Sequence, residues 1–125
     1  MRQLARVPIS ILALLLLASC GKQQQAKSLV KDFVSENARE EIDISSFSDL
    51  DSTRVISDSL IISMREKAKS DPLFKSAPLS PFTSEGKKTR TFLYIRMRYQ
   101  EPGDTIESSR TFYFDRDLTG IIAFK

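Results

Sequence analysis

The chain has 125 residues, 41% hydrophobic and 28% charged, with 19 basic and 16 acidic side chains, one cysteine and no histidine. That length suits one domain with one modest core, and a lone thiol cannot close an intramolecular disulfide. Without histidine there are no Ser-His or Cys-His nucleophile pairs, no imidazole bases and no His-ligated zinc or haem, and the pattern calls for no metal or other cofactor.

Residues 1–19 begin with Arg2 and Arg6 and no acid, continue through an apolar run from Ile9 to Leu17, and end in the small residues Ala18 and Ser19. This is the layout of a secretory signal peptide. The run is too short for a transmembrane helix, which needs about 20 apolar residues. Its removal takes away two arginines and no acid, leaving 17 basic against 16 acidic side chains. A balance so close to zero predicts no nucleic-acid partner.

The tetrapeptide Leu17-Ala18-Ser19-Cys20 resembles the lipobox of bacterial lipoproteins. The resemblance implies a diacylglyceryl group on the Cys20 thiol, cleavage just before it and acylation of the new amino terminus. One acyl chain holds a protein only marginally, at about 0.8 kcal/mol per buried methylene, whereas two or three hold it stably. The membrane is therefore the first expected partner, through lipid on Cys20. Gly21, Lys22 and three glutamines follow, without the acids that some surface-exposed Bacteroidetes-type lipoproteins carry. By that resemblance the protein belongs in the outer membrane, facing the periplasm. Residues 20–25 read as a lipidated polar tether and 26–125 as a single domain.

Ala26, Leu29, Val30, Phe33 and Val34 recur at helical spacing, which predicts an amphipathic helix from about Gln24 to Asn37. Ile42 and Ile44 alternate, and a short strand is expected over Ile44–Leu50. Leu60, Ile61, Met64 and Ala68 return to helical spacing, with Asp58 near the start, Lys67 and Lys69 near the end and Pro72 as the limit. Residues 71–88, with three prolines and Gly86, read as a long loop.

The remainder is strand-like. "EPGD" at residues 101–104 is a turn between two alternating segments. Pairing Gln100 with Thr105 sets Arg98 opposite Glu107, Tyr94 opposite Thr111, Phe92 opposite Tyr113 and Arg90 opposite Asp115. On the other face Tyr99 meets Ile106, Leu93 meets Phe112 and Thr91 meets Phe114. After the turn "DRDLTG", strand parity groups Ile121 and Ala123 with Phe112 and Phe114, and Ile122 and Phe124 with Tyr113.

Helix, weak strand, helix, loop and meander together resemble the cystatin-like and NTF2-like folds. This implies an α+β domain of one or two helices on a curved antiparallel sheet of three to four strands. The leader, "AKSLVKDFVSENA", "SFSDLDS" and "FYFDRDLTGIIAF" look like small Bacteroidetes-type lipoproteins, a group that implies no activity. NTF2-like enzymes use His with Asp, and no catalytic residue transfers to a chain without histidine.

The core face is expected to bring Leu93, Ile95, Met97, Phe112 and Phe114 against Leu29, Phe33, Leu60 and Met64. The outer face then holds Phe92, Tyr94, Tyr113, Ile122 and Phe124, rimmed by Arg90, Arg96 and Arg98. That face is either an exposed binding surface or is covered by the loop over 71–88, with Leu73, Phe74, Leu79 and Phe82 as plugs. Arg110 falls on the core face, so it either snorkels at the sheet edge or stands at a pocket mouth to anchor an anionic ligand. Asp115 and Asp117 fit a side-chain-bonded turn better than a calcium loop.

The expectation is a non-enzymatic, lipid-anchored module of the bacterial envelope that holds a protein partner. The alternative is a small-ligand-binding or hydrolase-like protein with a pocket between helix and sheet.

Overall fold

A computed structural model describes residues 21–86 and 90–125. The leader and Cys20 lie outside these residues, as do Lys87, Lys88 and Thr89.

Helix α1 runs through residues 21–37. Ala26, Val30, Phe33 and Val34 form its buried stripe, the spacing that one helical face requires. It closes on Asn37, whose amide donates to the Phe33 carbonyl at 2.9 Å. The polar stretch expected as a free tether is the first turn of this helix. Gln23 accepts from Leu50 N at 2.5 Å and donates to the Ser48 carbonyl at 3.0 Å, while Gln25 donates to the Leu118 carbonyl at 3.1 Å. Glutamine is a good helix former, and these side chains dock on backbone groups, so the stretch needs no apolar period to belong to the domain.

Strands β1 (Asp43–Phe47) and β2 (Asp51–Thr53) both pair antiparallel with β3 (Phe92–Gln100). The expected single strand is thus broken in two. A bulge between Ile44 and Ser46 starts the break and Ser48 bridges it, its N–H donating to the Arg96 carbonyl at 2.9 Å and its hydroxyl accepting from Arg96 N at 2.8 Å.

Helix α2 (Asp58–Ala68) starts where expected, with the Ser57 hydroxyl accepting from Leu60 N at 3.2 Å as N-cap. Strands β3, β4 (Ser108–Phe114) and β5 (Ile121–Phe124) complete an open antiparallel sheet of five strands in the order β1-β3-β4-β5, with β2 also beside β3. The fold is α+β, with two helices on this sheet.

The hairpin register differs from the expected one by two residues: Arg98 stands opposite Ser109, Arg96 opposite Thr111 and Tyr94 opposite Tyr113. The loop is longer than its turn. Asp104 N closes on the Glu101 carbonyl at 3.0 Å, with Gly103 at φ 84 after Pro102, and residues 105–107 follow before pairing begins. An even shift leaves every side chain on its predicted face. In β5 the parity is broken by an irregularity against Tyr113 and Phe114. Ile121 and Phe124 therefore share one face while Ile122 and Ala123 share the other.

The helices cover opposite faces of the sheet, not the same one. On the first face α1 packs on Ile95, Met97, Phe112, Phe114 and Phe124, and Leu73 and Phe74 join it after leaving α2. Phe33 meets the rings of Phe74, Phe112 and Phe124 edge-on at 5.0, 6.1 and 5.7 Å. On the second face Ile61 and Met64 of α2 pack on Phe92, Tyr113, Ile122 and Ala123, with Phe82 alongside. Leu60, expected in the core, is exposed. Both faces of the meander are apolar, so one helix cannot bury them.

The segment over 71–86 straps the two layers together. Phe74 bridges to Ala38 at the end of α1. Ser80 N then donates to the Ile121 carbonyl at 2.8 Å along the outer edge of β5. Arg65 of α2 donates to the carbonyls of Ser80 and Ile122 at 2.7 and 2.8 Å, so backbone groups at that edge are satisfied by the strap and one guanidinium. The strap crosses closely at Gly120, where a Cβ would overlap the Ser80 hydroxyl.

Candidate functional site

The surface first expected to bind a partner is mostly interior. Phe92, Tyr113, Ile122 and Phe124 are at most 4% exposed. Three of them lie under α2 and the strap, and Phe124 turns to the α1 face through the irregularity in β5. The strap does contribute Phe82 as a plug on this face, whereas Leu73, Phe74 and Leu79 pack on the other. Tyr94 is half-buried, 6.1 Å from the Tyr113 ring. Arg96 and Arg98 are exposed, and among the described residues their side chains have no hydrogen-bond or ion-pair partner.

Arg90, expected opposite Asp115, instead fastens the strap to α2. Its Nε lies 3.2 Å from Asp58 Oδ1 and its Nη1 3.2 Å from Glu85, and its guanidinium sits 4.7 and 4.9 Å from the Phe82 and Phe92 ring centroids. Asp58 is buried at the start of α2; its Oδ2 accepts from the Ser84 hydroxyl and Glu85 N at 3.1 and 2.9 Å. Its Oδ1 is close to Arg90 without an aligned hydrogen bond, so that contact is an ion pair only. The cluster is a structural clasp. Asp115 is likewise spent on its turn, accepting from Thr119 N at 2.9 Å and from the Thr119 hydroxyl. Among the described residues no three acidic or cysteine side chains gather as a metal site, and no helix is long and apolar enough to cross a membrane.

Arg110 neither snorkels nor stands free. Its Nη1 pairs with Asp71 Oδ2 at 2.8 Å and its Nε donates to the Tyr99 hydroxyl at 3.2 Å. The pair is partly buried, at 23% and 10% side-chain exposure, so water reaches the guanidinium. Five N–H donors serve these two partners, which leaves donors for an incoming acceptor.

This guanidinium lines a hollow of about 360 Å³ beside α2. Ile56, Leu60, Met64, Ala68 and Phe124 supply its apolar lining, Lys67 and Lys125 join Arg110 as cations, and Ser63 and the Asp71 carboxylate complete it. Leu60 is 49% exposed on the rim. A mostly apolar concavity with a few convergent polar groups is the usual form of a small-ligand site. Among the described residues three larger hollows occur: two of about 590 and 690 Å³, lined mainly by charged and amide side chains at the end of the sheet where α1 starts, and one of about 420 Å³ between the end of α1 and β1, where Lys31, Arg39, Glu40 and Glu41 mix both charges.

Of the residues that the sequence offered for binding, Arg110 and Phe124 line this hollow, Phe124 from the face opposite to the one expected. Asp71, Lys67 and Lys125 carry no local signal, because the end of α2 and the residue after β5 meet Arg110 of β4 only in the folded chain. Compared with protein-family models, with curated proteins and with solved structures, the chain finds no match.

Proposed function

We propose that this is a lipid-anchored, non-enzymatic binding protein of the bacterial envelope. Its groove beside α2 takes an amphiphilic anion, with an apolar segment against Leu60 and Met64 and an acidic group at Arg110, Lys67 and Lys125. The observation that carries the reading is one hollow lined by apolar side chains and by three cations against a single carboxylate, Asp71, which occupies one edge of the Arg110 guanidinium. The lipobox-like Leu17-Ala18-Ser19-Cys20 supports the anchor and the outer-membrane, periplasm-facing location. A chain without histidine supports binding over acyl-transfer chemistry.

The test is a thermal-shift series with straight-chain alkyl carboxylates and the matching alkyl trimethylammonium salts. Carboxylates raise Tm, the cations do not, and Leu60→Glu abolishes the rise. A flat response to every carboxylate removes the groove as the site.

A second reading, a protein-binding module, rests on exposed Arg96 and Arg98 beside half-buried Tyr94. Cross-linking of the lipidated protein in its native envelope tests it: a partner lost in the Arg96→Ala/Arg98→Ala double variant supports it.

A further inference from the structure

The five residues that follow Cys20 leave no slack between lipid and domain. Gly21 is already helical, Gln23 is bonded to the backbone of Ser48 and Leu50, and Gln25 to that of Leu118. Five extended residues would allow a reach of about 17 Å. As the first turn of α1 they allow none.

The start of α1 marks one end of the domain. Lys22 shares a hollow with Asp51, Ser52, Thr91 and Arg116, and Arg54 donates to the Thr91 hydroxyl at 3.3 Å. The exit of β2, the approach to β3 and the β4–β5 turn therefore converge there. The hairpin loop lies at the other end, where Glu101 and Pro102 share a small hollow with Arg39 and Pro72 beyond the end of α1.

We propose that the end formed by Lys22, Arg54, Val55 and Arg116 rests on the phospholipid headgroup layer, while Arg110 and Lys125 at the groove point away from it. This rests on the reading of Cys20 as the lipidated residue. A diacylglyceryl group holds its sulfur at headgroup depth, and one residue later the chain is committed to α1. Charge does not set the orientation: Lys22, Arg54 and Arg116 alternate with Asp49, Asp51 and Asp117 on this end, so attraction to anionic lipid is largely offset. Val55, next in sequence to Arg54 and 86% exposed, is the apolar side chain assigned to the layer.

The test uses the full lipidated protein in nanodiscs of phosphatidylethanolamine and phosphatidylglycerol carrying a gadolinium-chelating headgroup, with amide relaxation read by NMR. The expected result is several-fold greater broadening at Lys22, Arg54, Val55 and Arg116 than at Gly103, Ile106 and Lys125, unchanged at high salt. The Gln23→Ala/Gln25→Ala double variant is expected to even out that contrast. Uniform broadening of the unsubstituted protein, or broadening centred on the hairpin, overturns the orientation. Mass spectrometry of the amino-terminal peptide separates the two ideas, because an unmodified Cys20 overturns the anchor itself, whereas a lipidated Cys20 with the wrong broadening pattern overturns only the orientation.

Discussion

Asp71 and Arg110 are joined at 2.8 Å across 39 residues of sequence, one just past the end of α2 and the other on β4. This contact ties the chain leaving α2 to the sheet beside the groove. Replacing Asp71 with Ala removes a charged partner from a partly buried guanidinium, and a loss of about 1.5–3 kcal/mol is expected. Urea unfolding measures it; an unchanged midpoint shows the pair to be solvated and without structural weight.

Phe92 separates a buried face from an exposed one. At 1% exposure under α2, Phe82 and Arg90, Phe92→Ala is expected to cost about 3–5 kcal/mol. A surface residue would change by a few tenths. Circular dichroism with denaturant distinguishes the two.

Asp58 links the start of α2 to Ser84, Glu85 and Arg90. Asp58→Ala leaves the Glu85 N–H and the guanidinium without their buried acceptor, and about 1–3 kcal/mol of destabilisation is expected. Hydrogen exchange is expected to quicken first over residues 82–86; quickening spread evenly over the domain would show that no local clasp exists.

Gly120 is the crossing point of strap and sheet. Gly120→Ala forces the Ser80 side chain away, at an expected cost of about 1–3 kcal/mol. Because Ser80 supplies the overlapping atoms, Ser80→Gly in the same chain is expected to recover part of the loss. A double-mutant cycle with no coupling contradicts the close approach.

Legibility in the sequence followed the range of the interactions. The stripe of α1 from Ala26 to Val34, the Asp58 start of α2 and the alternation of β3 and β4 are local patterns, and each formed as the spacing implied. The α+β class follows from them. What failed was whatever a distant partner decides. Gln23 and Gln25 read as spacer because their partners are backbone groups 25 to 93 residues away. The hairpin slipped by two residues because Thr105 to Glu107 extend the loop beyond its turn, yet the faces survived an even shift. Phe124 changed face through an irregularity that periodicity cannot register. Placing both helices on one side overlooked that Phe92, Tyr113 and Ile122 need a cover of their own, which α2 supplies. At the site, Arg110 was legible from its place among core-facing residues, and Asp71, Lys67 and Lys125 were not.

Binding of an amphiphilic anion in the groove beside α2, as proposed, is measured residue by residue in a titration. Decanoate is added to the labelled protein while the amide spectrum is recorded, and decyl trimethylammonium serves as the charge-reversed control. Saturable shifts concentrated at Leu60, Ser63, Lys67, Arg110 and Lys125 are expected with decanoate, and none there with the cation. Shifts centred on Arg96 and Arg98, or equal responses to both amphiphiles, would contradict the proposal.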